Sequence, residues 1–541
     1  MSLGLSTGLR RPGWSRGLRR EWSGRTRAGE AAWLIAVVPL ALVVGLAVAA
    51  GLGLLVVGVV VIAGFVALGL HDWRLSMLAL LGFLPYSGLL IIAAYPQTGP
   101  ATLVKDLLFV VPAYLGFAGA YLLRRREVRI PGFPLGCALL FAMVVVLQLA
   151  NPALPNIVVG LIGAKVWLMY IPMAYLGYHL VRSREDLRRV LFIICITGVI
   201  PAVIGIVEGV LVNTGQGDVV YRWYGDAASA VTQDFAIVGE GQASISRVAS
   251  TFSFVGQYFL FTVALVAASY AYWRGFLARS RRTDVLGLAL FMLVVLASLL
   301  SGARGAILFV PAMIVLMLGL DGVRVRVGVW VALIGGAIAA LTVTAAVFGT
   351  DVGDLLAQVW DHAVGQFVIN TVEGFRNAYE HMLVGLGTGV DTQAARYALP
   401  ALNPWELVGG RVEEGWWVKL VLELGIAGFV LGVFMLAAVV TRVVQVHRRL
   451  ADPQLRSISA GLLALVLFLV FNNFKGSFLD LDPTNILFWL FVGILLKLPT
   501  LDAERETVLV GSRLGSRRPP RSAPDEAPSA GDHHADVVAV G

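Results

Sequence analysis

Charge is scarce in this chain. Only 14% of its 541 residues are Asp, Glu, Lys or Arg and 58% are hydrophobic, too few polar residues to surface a soluble fold. Cysteine is scarcer still: Cys137 and Cys195 each sit inside an apolar run, which excludes a disulfide framework and reads as packing. There is no nucleotide-binding loop, no zinc-ligand spacing and no serine-nucleophile elbow, and no inverted repeat of the kind that marks many transporters stands out. A cleavable signal is not expected either, because the basic first thirty residues run into an apolar stretch too long for a signal core.

What is present is long apolar runs. They recur from residue 31 to residue 498, and a crossing needs about 20 such residues. The sequence therefore predicts an all-α, polytopic integral membrane protein with one membrane domain over 31–498 and about fourteen transmembrane helices. The apolar run at 31–70 turns at Gly51 and Gly53 to give two of them. The others fall at 75–94, 102–122, 133–150, 166–182, 189–212, 252–273, 285–301, 303–320, 328–348, 416–440, 457–473 and 484–498.

The net charge of +8 follows this pattern and does not point to nucleic acid. Basic loops at 71, 124, 182, 273, 321 and 441 all fall on one side, as the preference for Lys and Arg in cytoplasmic loops requires, and both termini fall there too. The expected location is a plasma membrane with cytoplasmic termini. Residues 1–30, with Arg10, Arg11, Arg16, Arg19, Arg20, Arg25 and Arg27, read as a disordered basic tail able to touch anionic membrane lipids, and residues 499–541 as a second disordered tail. Two outer segments are long, 213–251 and 349–415; the second is expected to be partly helical, because unstructured loops rarely exceed about 15 residues.

Against this topology one residue is out of place. In "SLLSGARGAILFV", Arg304 lies in a tight hairpin between two apolar runs, on the side where the charge rule disfavours it. Gly302 and Gly305 allow a close turn with free amides at a helix start, which suits phosphate or carboxylate; snorkelling to the interface would equally explain the arginine. Other cations fall on the same side: Lys105 beside Asp106, Lys165 at the opening of a span, and Arg247 just before another. Together they suggest a basic pocket suited to a pyrophosphate-bearing lipid, although Asp106 offers Lys105 a simpler partner.

The long outer loop holds the acid–base candidates. Glu373, Arg376 and Glu380 would form one charged helical stripe, readable as a solvated face, with His381 beside it. Glu413 and Glu414 stand next to Trp416 and Trp417, where partial burial would make a carboxylate a general base; a helix N-terminus with interfacial tryptophans explains the same residues. Trp223, Tyr224, Trp405, Trp416 and Trp417 could stack on sugar rings or form an interfacial belt.

The order of these features resembles the O-antigen ligase and O-antigen polymerase superfamily of bacterial envelope enzymes. Three stretches carry the resemblance: "SRVASTFSFVGQYFLFTVAL" at 246, "SLLSGARGAILFV" at 298, and "MLVGLGTGV" at 382 followed by "EEGWWVKLVLELGIAGFVLG" at 413. It covers about residues 100–498.

The resemblance implies a membrane-embedded, metal-independent and inverting glycosyltransferase without a cofactor. Such an enzyme takes a glycan from a polyprenyl-pyrophosphate carrier on the outer face to a hydroxyl of a glycan, lipid or protein acceptor, beside other envelope-polysaccharide assembly proteins. Arg304 and Arg247 would bind the diphosphate, with Lys165 and Lys105 as further substrate-binding residues and Glu414 or His381 as the base. The chain departs from the family where ligases usually carry His-Asn: Glu414 and Gly415 stand there, which favours a polymerase with a carboxylate base. Ala303 replaces the usual serine before the arginine, and Val255 and Gly256 replace Pro-Asn. The competing class is a transporter or flippase of a lipid-linked glycan or another anionic solute.

Overall fold

The computed structural model describes residues 53–94, 98–122, 128–224, 237–238, 245–278, 280–322, 327–392, 395 and 415–515. The basic opening segment, the first expected span, the tail from 516, Trp405, Glu413 and Glu414 lie outside them. The described chain is helical apart from a short antiparallel ribbon, Ile237–Val238 with Ile245–Ser246.

Among the described residues ten helices are long and apolar enough to cross a membrane. In chain order they are α1 (Trp73–Ala93), α2 (Ala101–Tyr121), α3 (Ile157–Leu180), α4 (Arg184–Asn213), α5 (Val255–Leu277), α6 (Arg281–Leu299), α7 (Arg304–Asp321), α8 (Trp416–Arg449), α9 (Pro453–Asn472) and α10 (Thr484–Glu504). Two shorter apolar helices, Gly58–His71 and Leu135–Ala150, accompany them. The protein is thus an α-helical polytopic membrane protein.

The helices are apolar all round, so enclosure and not a single greasy face distinguishes the core. In α5, 89% of the apolar window is buried, against 39% in α6, α7 and α8, which makes α5 the axis around which its neighbours pack. α9 and α10 follow at 72%. Large side chains such as Leu139, Leu286, Val315 and Phe434 remain exposed, as they must where the solvent is lipid.

Basic loops expected on one side do meet at one end. Arg184 pairs with Asp452 at 2.5 Å, Arg274 with Asp321 at 3.3 Å, and Arg74 donates to the His179 carbonyl at 3.0 Å. Tyr270 and Ser457 also donate to Asp321, at 2.8 and 2.5 Å.

Three boundaries differ from expectation. α3 starts at Ile157, not 166, because the Asn156 side chain caps it by accepting from the Val158 amide at 2.8 Å; Lys165 is therefore inside a span and does not open one. The last helix runs on to Gly515, so residues 499–515 are helix and not disordered tail. Its extension is pinned by Asp502, which accepts from the amides of Ala451 and Asp452 at 2.7 and 3.2 Å.

The third difference is a break in α8. Gly425 adopts φ 65° and ψ −169°, and a Cβ there would lie 2.7 Å from the Val384 carbonyl carbon. The break frees two carbonyls and an amide that a glycine-rich segment then satisfies: Leu386 N donates to Leu422 O at 2.7 Å and Gly387 N to Glu423 O at 3.2 Å, while Ile426 N donates to Met382 O at 2.7 Å. Irregular backbone is tolerable inside an apolar domain only when its polar groups are answered in this way. The "GLGTG" and "ELGIAG" stretches are thus each other's packing partners.

The outer loop at 349–415 is helical over its first part. Asp351 caps helix Val352–Phe367, which continues through Val368–Glu373, Gly374–Ala378 and Tyr379–His381.

Candidate functional site

At the end of the bundle opposite the Arg184–Asp452 pair, four basic residues from four segments converge. Arg304 is the first residue of α7, and the turn before it is built for close approach. Gly302 has φ 73°, and a Cβ on it would fall 2.3 Å from the Ser246 carbonyl oxygen and 2.8 Å from the Arg247 Cα. Val248 N donates to Ser301 O at 3.1 Å, while Asn213, at the end of α4, bonds both polar backbone groups of Ser246, at 2.9 and 3.1 Å. Arg247 is held between these two anchors, directly against the Arg304 turn.

The third member is Lys475, in the loop between α9 and α10. Its Nζ lies 5.7 Å from the centre of the Phe309 ring, one turn into α7, and 3.4 Å from the place a Gly305 Cβ would occupy. Its backbone is held by the outer loop: Asn370 Nδ2 donates to Lys475 O at 2.6 Å and Thr371 to Phe474 O at 3.2 Å. The fourth is His362, on helix Val352–Phe367, which packs against α7. Burial pulls the His362 imidazole down to about 4, and the positive charges of Lys475, Arg304 and Arg247 add to the effect. All four side chains are half-buried. Such a group offers charged N–H donors from several directions in a setting drier than bulk water, which suits a ligand with several anionic oxygens.

A second charged group lies along the same loop and has a different character. Lys105 pairs with Asp482 at 2.6 Å and with Asp106 at 3.5 Å, and Lys165 pairs with Asp106 at 2.7 Å. Tyr170 donates to Asp106 at 2.8 Å. Lys419 pairs with Asp480, to which the Trp416 indole donates at 2.9 Å. Glu423 accepts from Trp167 at 2.6 Å, from Thr392 at 2.9 Å and from the Asp391 amide at 3.0 Å. The Asp482 carboxyl is lowered: its burial opposes ionisation, and Lys105 and Lys165 outweigh it.

The expected basic pocket therefore splits. Arg304 and Arg247 come together, whereas Lys105 and Lys165 are ion-paired with acids and belong to the framework. His381 is half-buried at the end of its turn, where its carbonyl accepts from Gly385 N at 2.8 Å, and among the described residues no contact joins it to the arginines. Of the expected charged stripe, Arg376 and Glu380 are exposed, whereas Glu373 is half-buried. Trp416 and Trp417 are buried and packed edge-on to each other at 5.1 Å, with Trp416 also 5.4 Å from Trp167, so neither forms a stacking platform or an interfacial belt.

Glu414 lies outside the described residues, but the residue after it does not. A Cβ on Gly415 would lie 2.6 Å from the Asn370 carbonyl oxygen, and Trp416 N donates to Asn473 O at 3.1 Å. The backbone following Glu414 thus abuts the two elements that hold Lys475. Lys475 and His362 escaped the sequence reading. Lys475 carried the signal that exposed Arg304, a cation in a loop where the charge rule disfavours one; His362 had no comparable mark. No protein-family model matches the chain and no curated protein matches it in sequence, so the function must be argued from this geometry.

Proposed function

We propose that the protein transfers a glycan from a polyprenyl-pyrophosphate carrier to an acceptor hydroxyl on the outer face of a bacterial inner membrane. In this reading the chain crosses fourteen times with both termini cytoplasmic, and Arg304, Arg247 and Lys475 face outward at the level of the lipid headgroups. The observation that carries the proposal is the convergence of Arg247 and Arg304, distant in sequence, on one built turn beside Lys475. Three cations held together offer several charged donors to one ligand, and a diphosphate on a lipid supplies several anionic oxygens at this depth.

The chemistry asked of the site is modest. The acceptor oxygen attacks the anomeric carbon from the face opposite the diphosphate, the glycosyl–oxygen bond breaks, and the electron pair leaves on the lipid diphosphate. Arg304, Arg247 and Lys475 hold the charge that develops on the leaving oxygen, which is where preorganised donors contribute most. Glu414 takes the acceptor proton as general base, and Gly415, next to it in sequence, packs against Asn370, which holds the Lys475 backbone.

The test is transfer in proteoliposomes from a lipid-pyrophosphate oligosaccharide to glycan, lipid or protein acceptors, comparing wild type with Arg304→Ala and Glu414→Gln. Loss of about a hundredfold or more in either variant is expected. Full transfer by both overturns the site, and movement of the carrier across the membrane without transfer would make the protein a transporter.

A further inference from the structure

The helical first part of the loop at 349–415 has two apolar sides. Leu355 and Val359 are buried, and helix Val352–Phe367, which carries them, packs against α7 and against helix Val327–Val347. Leu356, Trp360, Val364, Val368 and Val372 recur every fourth residue and remain between 43% and 61% exposed, a second stripe that the fold leaves open. Asp354 and Asp361, seven residues apart and therefore on one strip of the helix, are exposed beside it.

Both ends of this segment are tied to the ends of apolar helices. Val327–Val347 has 21 residues and none is charged; at about 1.5 Å per residue it matches a hydrocarbon layer of about 30 Å, so Val347 marks the boundary. The chain turns there at once: Gly349 takes φ 66°, Thr350 N donates to Ala345 O at 3.0 Å, and Asp351 already caps the next helix. At the other end Val384 O accepts from Gln148 and Gly385 O accepts from Asn151 at 3.0 Å, where the apolar helix Leu135–Ala150 stops. Leu383, 82% exposed, stands beside that contact.

We propose that residues 352–384 form a strap lying in the membrane surface, with Leu356, Trp360, Val364, Val368, Val372 and Leu383 among lipid tails and Asp354 and Asp361 in water. The occupant of the open stripe is the hydrocarbon of the surrounding leaflet. The stripe continues the lipid-facing surface of the preceding helix, where Ile338 and Val343 are exposed, and its two ends are held at the hydrocarbon boundary. An apolar stripe bordered by an acidic strip, with a tryptophan on it, is the pattern of a helix that lies in an interface and does not cross it. An open stripe of this length facing water would be an aggregation liability. The placement has a consequence for the basic turn. Asn370 is on the buried side of the strap and donates to Lys475 O at 2.6 Å, so the depth of the strap fixes the depth of Lys475. The strap stands without the transfer reading, and either can fail alone.

The test is the accessibility of nitroxide labels on the full chain in proteoliposomes. Cys137→Ala removes the half-buried thiol, and the buried Cys195 takes no label. Into that background go Leu356→Cys, Trp360→Cys, Val364→Cys, Asp354→Cys and Asp361→Cys one at a time, all at exposed positions that leave the core untouched. Molecular oxygen concentrates in hydrocarbon, whereas a nickel chelate stays in water. The ratio of oxygen to nickel collisions should be severalfold higher at Leu356→Cys, Trp360→Cys and Val364→Cys than at Asp354→Cys and Asp361→Cys. Equal ratios at every position overturn the strap, whether water or lipid surrounds the helix. Stripe labels shielded from both reagents, or broadened by the label of a second copy, overturn it in favour of a protein partner. In the unsubstituted chain, lipids with a photoactivatable group on the acyl tail should cross-link to peptides within 352–384, and no cross-link anywhere in that range overturns the strap as well. Pyrophosphate binding and glycan transfer are read separately, so these outcomes leave the anion site standing.

Discussion

The loop between α9 and α10 touches two charged regions that solve the same problem in opposite ways. Through Asp480 and Asp482 it reaches lysines whose charges are answered within the chain: Lys105, Lys165 and Lys419 interleave with Asp106, Asp482, Asp480 and Glu423. Through Lys475 it reaches the turn that holds Arg304 and Arg247, and all three cations act on His362 with one sign. Opposed charges in an apolar setting hold elements in register; cations gathered by three separate backbone anchors present several donors to one anion. The comparison therefore separates framework from site without appeal to motif.

The two regions should break differently. Asp480→Ala removes the close partner of Lys419, which is 1% exposed, and leaves Glu423 at 4.0 Å; it should cost about 3–5 kcal/mol of stability, read as loss of folded protein in detergent melts. Combining Asp480→Leu with Lys419→Met should restore much of that, since replacing both partners by apolar groups of similar volume is often neutral. Lys475→Ala should cost less stability, because its side chain is only half-buried, while pyrophosphate affinity falls about tenfold or more, the size of a lost hydrogen bond to a charged group. A melting temperature that falls as far for Lys475→Ala as for Asp480→Ala would erase the distinction.

How much of this was legible beforehand follows the same division. The number and order of apolar runs, the side on which basic loops gather, and the anomaly of Arg304 are local properties of sequence. Arg247 could be paired with Arg304 because it stands just before a span on the same side and the family resemblance gives both to the diphosphate. The partners of Lys105 and Lys165 could not be foreseen in full, because Asp482 reaches Lys105 from the far end of the chain, and helices that are apolar all round leave no periodic face to say which neighbours meet. Lys165 was misplaced because Asn156 caps α3 more than two turns upstream. The glycine-rich run near 385 gave no hint that it answers the carbonyls exposed at Gly425, since that need arises only once α8 is broken.

A smaller effect tests the anchoring of the site. Gly302→Ala places a Cβ where the Ser246 carbonyl stands and forces an L-residue to φ 73°. Strain of this kind costs of order 1–3 kcal/mol. Because the clash is with the residue preceding Arg247, anion affinity should fall with stability, whereas Gly319→Ala, within α7 and with open space around it, should change neither. A Gly302→Ala protein that binds pyrophosphate normally would mean that the arginines do not depend on this turn.

The smallest effect is in pH. His362 in the folded chain protonates only near 4, against about 6.5 for an ordinary imidazole, so between those values the unfolded chain binds more protons than the folded one. Stability contributed by the neutral imidazole is therefore complete above pH 6.5 and declines as pH falls towards 4, where the folded form protonates as well. The paired region has the other acidic limit: Asp482, held below the usual carboxylate range, keeps its contribution until pH drops past about 3.8 and loses it only below that. Melting temperatures of wild type and His362→Gln should accordingly converge on descending from pH 7 towards pH 4.5, with wild type falling faster, while Lys105 and Asp482 stay paired throughout. If the two proteins instead fall in parallel over that interval, His362 does not feel the three cations, and the basic region would have to be regarded as separate charges and not as one site.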